Sequence, residues 1–186
     1  SDVDMGILKR FQLQRDPQVL HQRFIDEGFP LDLLKEIHRT NPAITEKMPE
    51  ADPRLYAIND GDKIQAGSYT LETLLVPGHT PGNTMFYIRK EQIMFTGDHI
   101  LFDITPNITH WRGLSDSLGD YLDQLRRVRD LPVKLALPGH RKPGNYRERI
   151  DSLLEHHSKR LSNALTIVQD NPGMTAYEIA GIMRWK

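Results

Sequence analysis

The chain has 186 residues, 38% of them hydrophobic and 26% charged, a composition that allows one domain with a buried core and a small appendage. Its net charge of −1 argues against a partner held mainly through phosphate charges, so nucleic acid is not expected. The sequence contains no cysteine, which excludes disulfides and thiol nucleophiles and leaves histidine and carboxylate as metal ligands. No apolar run reaches the roughly 18 residues of a membrane span, so we expect no membrane partner and a cytoplasmic location.

The first 50 residues predict polar helical segments followed by a loop. Residues 16–28 place apolar side chains at helical spacing and stop at a glycine. Residues 30–40 begin with a proline and show the same spacing, but neither segment is apolar enough to form a core by itself. Residues 41–53 contain three prolines and therefore predict a connecting loop.

The pattern changes to short β-prone segments after this loop. Four segments are separated by turn signals and predict a mainly antiparallel sheet: residues 54–60, 68–76, 84–90 and 92–98. The last two read as a hairpin that turns near Lys90 and Glu91. A further short buried strand is predicted at residues 133–138, where the sequence is VKLALP.

Helical patterns return in the second half of the chain. Residues 116–130 predict a helix that packs on the sheet through one apolar stripe, formed by Leu118, Tyr121, Leu122, Leu125 and Val128. Residues 145–170 predict a longer helix with its own stripe: Tyr146, Ile150, Leu153, Leu154, His157, Leu161, Leu165 and Val168. The sequence TAYE at residues 175–178 is a capping box, with Thr175 as N-cap and Glu178 reaching back, and it predicts one more helix.

Two histidines stand at turns of the same construction. The sequences VPGHTPG, residues 76–82, and LALPGHRKPG, residues 135–144, each place a Pro-Gly-His turn after an apolar strand. Proline restricts φ, glycine permits the sharp turn, and the imidazole emerges at the strand end. Between them the apolar strand in IMFTGDHIL ends at Gly97-Asp98. Each feature alone is most often an ordinary turn, but together they predict that His79, Asp98 and His140 converge at one sheet edge as metal ligands.

The stretches VPGHTPGNTMFYI, IMFTGDHIL and LALPGH resemble the metallo-β-lactamase superfamily of metal-dependent hydrolases, and more closely its glyoxalase II-like and lactonase-like branch. The resemblance covers about residues 55–185. It implies an α/β fold in which residues 51–145 form the C-terminal half of an αββα sandwich. Residues 1–50 would lead into it, and residues 146–186 would form a helical, partly winged-helix-like extension.

The resemblance also implies the role of each site residue. His79 would bind one metal ion, His140 the second, and Asp98 would bridge the two ions. The pair would be zinc, or manganese or iron, and would activate a water to hydrolyse an ester, thioester, lactone or similar bond of a small-molecule substrate. Residues 102–107 follow Asp98 and either line the substrate pocket or, in the simpler interpretation, form a plain loop.

The superfamily motif His-x-His-x-Asp-His is absent from these 186 residues. The remaining histidines do not replace it: His21 and His38 are isolated, His99 and His110 match no ligand of the family, and the adjacent His156 and His157 point about 100° apart on a helix. His157 falls on the apolar stripe and is expected in a core or an interface. We therefore expect the chain to be part of a longer hydrolase, with weak or absent metal binding and no activity by itself.

Two other classes of function are compatible with the sequence. The C-terminal helices could bind a partner or nucleic acid, but their basic residues alternate with acidic ones, a pattern typical of a solvated helix face. Alternatively, the chain could serve in oligomerisation without activity of its own. The surface left by the absent half predicts either a homodimer or a helix from residues 10–40 folded over it.

Overall fold

A computed structural model of the chain describes residue 22 and residues 24–40, 56–111 and 115–185. The chain divides into two compact units, one formed by residues 1–9 and 53–156 and the other by residues 10–52 and 157–186. Of the helix predicted at residues 16–28, only residue 22 and residues 24–26 are described as helical. The loop predicted at residues 41–53 lies outside the described residues.

The first unit contains a five-stranded sheet in the spatial order β1-β2-β3-β4-β5. The strands are β1 (Lys63–Ala66), β2 (Tyr69–Leu75), β3 (Thr84–Ile88), β4 (Ile93–Gly97) and β5 (Leu135–Pro138). The first three pairings are antiparallel, and β5 pairs with β4 in parallel. Because β2 and β4 are both antiparallel to β3, the strands β2, β4 and β5 run in one direction. Their carboxyl ends therefore lie at the same edge of the sheet.

The start of the sheet corrects one prediction. Residues 54 and 55 of the predicted strand lie outside the described residues, residues 56–60 join no strand, and the first described strand begins at Lys63. The cause is the buried Thr73 of β2, whose hydroxyl donates to the carbonyl of Asn59 and whose N–H donates to the carbonyl of Asp62. The turn at residues 59–62 thus uses hydrogen bonds that a continuous strand would have placed in the ladder. The predicted hairpin between β3 and β4 is confirmed.

The helix α2 (Ser117–Val128) packs against the core of this sheet, as its apolar stripe predicts. Tyr121, Leu122, Leu125 and Val128 are buried in one cluster with strand residues such as Met85 and Met94, and Leu118 packs against that cluster. Asp116 caps the helix by accepting a hydrogen bond from the N–H of Gly119 at 2.8 Å. The helix α3 (Tyr146–Asp170) adds Tyr146, Ile150 and Leu153 to the same cluster. Further along the helix the apolar stripe is no longer buried, since Leu161, Leu165 and Val168 are exposed.

The described elements of the second unit are helices. They include α1 (Leu31–Thr40) and α4 (Ala176–Ile182), and the predicted capping box is confirmed at the start of α4. Glu178 accepts hydrogen bonds from the N–H and the hydroxyl of Thr175, and these bonds hold the pKa of its carboxyl below the usual value. The ring of Tyr177 contacts Phe29 edge-on, with centroids 4.9 Å apart. Among the described residues, no helix combines the length and the apolar composition that crossing a membrane requires.

Candidate metal centre

The three predicted residues converge at the edge of the sheet where β2, β4 and β5 end. His79 follows β2, Asp98 follows β4 and His140 follows β5. The Nε2 atom of His79 lies 3.6 Å from Oδ2 of Asp98, and the Nε2 atom of His140 lies 3.3 Å from Oδ1. Each carboxylate oxygen of Asp98 therefore faces a different imidazole. The structure brings the three side chains together, and their role as metal ligands stays a prediction.

The first Pro-Gly-His turn requires glycine for two reasons. Gly78 has a φ of +138°, a conformation that residues with a side chain rarely adopt. A Cβ atom at this position would also lie 2.5 Å from Cβ and 2.9 Å from Cα of Tyr121. The turn consequently packs directly on α2. Its two ends are joined because the N–H of Val76 donates to the carbonyl of Asn83 at 2.8 Å.

Two contacts hold His79, one at its ring and one at its backbone. Its Nδ1 atom lies 2.7 Å from the carbonyl oxygen of Asn107. Because a carbonyl oxygen only accepts hydrogen bonds, this partner assigns the ring hydrogen to Nδ1 and leaves the lone pair of Nε2 facing Asp98. The indole of Trp111 donates to the backbone carbonyl of His79 at 3.0 Å. A backbone carbonyl on the second ring nitrogen is the arrangement that orients metal-binding histidines in proteins.

The second Pro-Gly-His turn leaves space beside Asp98. A Cβ atom at Gly139 would lie 2.7 Å from Oδ1 of Asp98 and 3.1 Å from the backbone carbon of Gly97. The N–H of Gly139 also donates to the carbonyl of Gly97 at 2.9 Å, which extends the pairing of β4 with β5 into the turn. The side chain of His140 is 64% exposed, whereas that of His79 is only 29% exposed.

The carboxylate of Asp98 lacks a hydrogen-bond donor at one oxygen. Its Oδ1 atom is buried and accepts no hydrogen bond within the described part of the chain. A buried carboxylate oxygen without a donor is costly, and a bound cation removes that cost. The donor types and their directions fit a divalent metal pair, with one histidine on each side of a shared carboxylate. Their number is small, since no group of three His, Asp or Glu side chains among the described residues is arranged to hold one ion.

His99, next to Asp98 in sequence, is a buried neutral histidine. Its side chain is fully buried, its ring contacts Tyr121 with centroids 4.9 Å apart, and neither ring nitrogen has a hydrogen-bond partner among the described residues. Burial lowers the pKa of His99 to about 3, and the nearby His79 contributes in the same direction. His99 matches no ligand of the family by sequence, and nothing in its described surroundings places it facing Asp98.

No pattern in the sequence marks Asn107 and Trp111 as partners of His79. They act on His79 through a backbone carbonyl and an indole N–H, at sequence separations of 28 and 32 residues. No residue-type pattern marks a carbonyl acceptor, so the signal for Asn107 does not exist in the sequence. The segment at residues 102–107, for which the sequence left open a pocket lining or a plain loop, contains this contact with His79. His157 is buried, as expected for a residue on the apolar stripe.

Residues 13–140 match the family model described as the metallo-beta-lactamase superfamily. A metallo-beta-lactamase family protein from Thermus thermophilus superposes with a TM-score of 0.77 and 28% identity, covering 92% of this chain and 55% of that one. A "Beta-lactamase-like protein 2 homolog" from Caenorhabditis elegans is 25% identical over 70% of this chain and 42% of its own length. An "Atrochrysone carboxyl ACP thioesterase" from Aspergillus fumigatus is 25% identical over 64% of this chain and 36% of its own length.

The chain belongs to the metallo-beta-lactamase superfamily, because the matched region covers more than half of it and includes all three candidate ligands. It spans about two fifths of the length of the curated relatives it matches.

Proposed function

We propose that His79, Asp98 and His140 form part of the two-metal centre of a hydrolase that acts on an ester or thioester of a small molecule. The observation that carries this proposal is the carboxylate of Asp98, with an imidazole nitrogen facing each of its oxygens. The name of the Aspergillus fumigatus relative, an acyl-carrier thioesterase, favours a thioester within that class. Membership of the glyoxalase II-like branch is part of the same proposal, as is zinc as the metal.

Each side chain has a distinct task in this proposal. His79 would hold one ion and His140 the other, with Asp98 between them. A metal pair bound there supplies an activated water and polarises the substrate carbonyl. The hydrogen bond from Nδ1 of His79 to Asn107 would place the hydrogen of the neutral ring on Nδ1 and aim Nε2 at the centre. Gly139 keeps the space beside Oδ1 of Asp98 free of a side chain.

The ligand set is incomplete within this proposal. A catalytic zinc usually has three protein ligands and an open position. The three residues here would give each ion one histidine and a shared carboxylate, which is one ligand short on each side. We propose that the remaining ligands come from a segment carrying His-x-His-x-Asp-His, a motif that these 186 residues lack. The chain alone then binds zinc weakly and has no hydrolase activity.

Zinc binding tests the assignment of the ligands. The metal-free chain is titrated with zinc in competition with a chromophoric chelator. We expect His79→Ala, Asp98→Asn and His140→Ala each to weaken binding, because each removes one of the donors. His38→Ala is the matched control, since the sequence does not assign that isolated histidine to the site, and it should leave binding unchanged. Zinc affinity that survives all three substitutions would contradict the proposed centre.

Hydrolysis tests the activity. A panel of an acyl-pantetheine thioester, an aryl ester, a lactone and a phosphodiester is assayed with the zinc-loaded chain. The same panel is assayed with a fusion that places a superfamily N-terminal half carrying His-x-His-x-Asp-His ahead of it. We expect turnover of the thioester or the ester only in the fusion, and its loss in His79→Ala. Tight, near-stoichiometric zinc with turnover in the chain alone would show that the ligand set is complete without that motif.

A second candidate function is self-association through α3. Leu161, Leu165 and Val168 follow one another at helical spacing and are each about half exposed. Such a row favours a second copy of the chain as its partner. Sedimentation velocity should then detect a dimer that Leu165→Glu dissociates, whereas Ser162→Glu on the same helix should not. A monomer at all concentrations would rule this candidate out.

Three basic residues of α3 are paired with other groups of the chain, which argues against binding of nucleic acid through this helix. Arg147 pairs with Asp130 at 3.2 Å, and Arg149 donates to backbone carbonyls. Arg160 lies over the ring of Trp185, 4.3 Å from its centroid. Because these cations contact groups of the chain itself, we expect no salt-dependent binding to DNA.

A further inference from the structure

One loop follows the candidate ligand Asp98 in the chain and forms hydrogen bonds with a second candidate ligand, His79. The loop at residues 99–111, called here the post-Asp98 loop, begins directly after Asp98. Near its other end, the carbonyl of Asn107 accepts the Nδ1 hydrogen of His79 and the indole of Trp111 donates to the His79 backbone. The position of this loop therefore decides how the His79 ring is oriented relative to Asp98.

The first residues of the post-Asp98 loop are held by the sheet and by α2. The hydroxyl of Tyr121 donates to the carbonyl of His99 at 3.0 Å. The hydroxyl of Thr96 donates to the carbonyl of Ile100 at 2.8 Å. Both acceptors lie within two residues of Asp98, so these bonds hold the start of the loop and leave its middle to other contacts.

The middle of the post-Asp98 loop is held by one side chain of α3. Arg149 donates from Nε to the carbonyl of Leu101 at 2.6 Å and from Nη2 to the carbonyl of Ile104 at 2.8 Å. The guanidinium is rigid and planar, so two donors at fixed separation set the distance between the two carbonyls. A lysine carries a single ammonium on a flexible stem and cannot reproduce this fork. Arg149 is also only partly exposed, which limits competition from water.

The segment after His140 contacts the same loop. Gly144 packs against Phe102, and a Cβ atom at Gly144 would lie 2.6 Å from Cδ1 and 3.0 Å from Cγ of that ring. The post-Asp98 loop is thus held by Arg149 at its backbone and by Gly144 at the side chain of Phe102. These two contacts come from residues on the C-terminal side of His140, so they tie the surroundings of both histidines to one loop.

We propose that Arg149 is a positioning residue for His79. By holding the carbonyls of Leu101 and Ile104, it places the carbonyl of Asn107 where it accepts the Nδ1 hydrogen of His79 and turns Nε2 toward Asp98. The importance of this orientation for metal binding rests on the proposed function. The orientation itself does not, and it is measured directly on the metal-free chain.

The test reads the tautomer of His79 by long-range ¹H–¹⁵N NMR of the metal-free protein at a pH where the imidazole is neutral. The unsubstituted chain should show His79 with its hydrogen on Nδ1. Arg149→Met and Arg149→Lys should both shift the signals toward the averaged tautomers of a free imidazole. Arg147→Met is the matched control on the same helix, because the ion-pair partner of Arg147 is Asp130, outside the loop, and it should leave the tautomer unchanged.

The tautomer separates positioning from a purely structural role. If Arg149→Lys and Arg149→Met lower the free energy of unfolding while His79 keeps its Nδ1 hydrogen, the proposal is overturned. Should Arg149→Met fail to fold, the tautomer in folded Arg149→Lys decides. Gly144→Ala perturbs the loop from the side of Phe102 and should produce the same shift. Zinc affinity that survives His79→Ala, Asp98→Asn and His140→Ala would contradict the proposed function and would leave the tautomer result intact.

Discussion

The two Pro-Gly-His turns share their residues but not their surroundings. The ring of His79 donates to Asn107, its backbone accepts from Trp111, and its side chain is largely covered. The ring of His140 is mostly exposed, and among the described residues its polar neighbour is Asp98. The difference teaches that the motif determines where an imidazole emerges, whereas the surrounding elements determine how firmly it is oriented.

The position of each strand in the sheet explains this difference. The strand β2 lies between β1 and β3, and the turn that follows it is covered by α2 and by the post-Asp98 loop. The strand β5 is an edge strand, with only β4 beside it in the described sheet. The side chain of His140, which follows β5, faces Asp98 and is mostly exposed. We expect substitutions in the first turn to affect folding and those in the second to affect mainly the site.

The largest effect is expected from alanine at Gly78. The residue would have to adopt a φ of +138° and its Cβ would overlap the backbone of Tyr121. We expect a loss of about 3 kcal/mol in the free energy of unfolding, measured by urea denaturation. Gly139→Ala is the matched substitution in the second turn, and it should cost about 1 kcal/mol because its Cβ mainly meets the carboxylate of Asp98. Equal losses in the two variants would contradict the comparison.

The free energy of unfolding is expected to depend on pH through His99, which is packed near the first turn. The unfolded chain binds a proton on His99 near its ordinary pKa of 6.5, but burial delays protonation in the folded state to a pKa of about 3. Between these values the unfolded state binds more protons, so stability falls as the pH falls through this window. We expect a slope of up to about 1.4 kcal/mol per pH unit. His99→Gln should flatten the slope, and an unchanged slope would show that other groups cause it.

A smaller effect is expected where the first turn is held by Trp111. Trp111→Phe keeps the aromatic ring but removes the N–H that donates to the carbonyl of His79. We expect a loss of about 1 kcal/mol in stability and roughly tenfold weaker zinc binding. Trp185→Phe is the control, because its indole donates to Ala180 in the other unit. Zinc binding equal in both variants would remove Trp111 from the site.

The smallest effect is expected at the second histidine. His140→Ala should change the free energy of unfolding by less than about 0.5 kcal/mol, because the side chain is mostly exposed. His79→Ala should cost about 1 kcal/mol, since it leaves the carbonyl of Asn107 without its donor. Parallel thermal and urea denaturation of the two variants measures the contrast. A cost at His140 as large as that at His79 would mean that the second turn is held more firmly than its exposure indicates.

The sequence predicted the candidate site better than it predicted the surroundings of the site. The convergence of His79, Asp98 and His140 was predicted from three apolar strands that each end at a turn, and the structure places these three strand ends at one edge of the sheet. Of the strand predicted at residues 54–60, the described residues 56–60 form a turn and its approach, because the hydroxyl of Thr73, 14 residues after Asn59, donates to the carbonyl of Asn59. The C-terminal half of α3 carries an apolar stripe that is exposed. A stripe in the sequence shows which side of a helix is apolar, but it does not show whether another element covers that side.

Local sequence was sufficient to predict the features that depend on neighbouring residues. These are the hairpin of β3 and β4, the capping box of Thr175 and Glu178, and the two turns in which proline and glycine present a histidine. The parallel pairing of β5 with β4, the contact of His79 Nδ1 with Asn107 and the contacts of Arg149 are visible only in the folded chain. The physical reason is that the contacts of His79 and Arg149 join residues 28 to 48 positions apart through backbone carbonyls, which every residue carries and no pattern of side chains reveals.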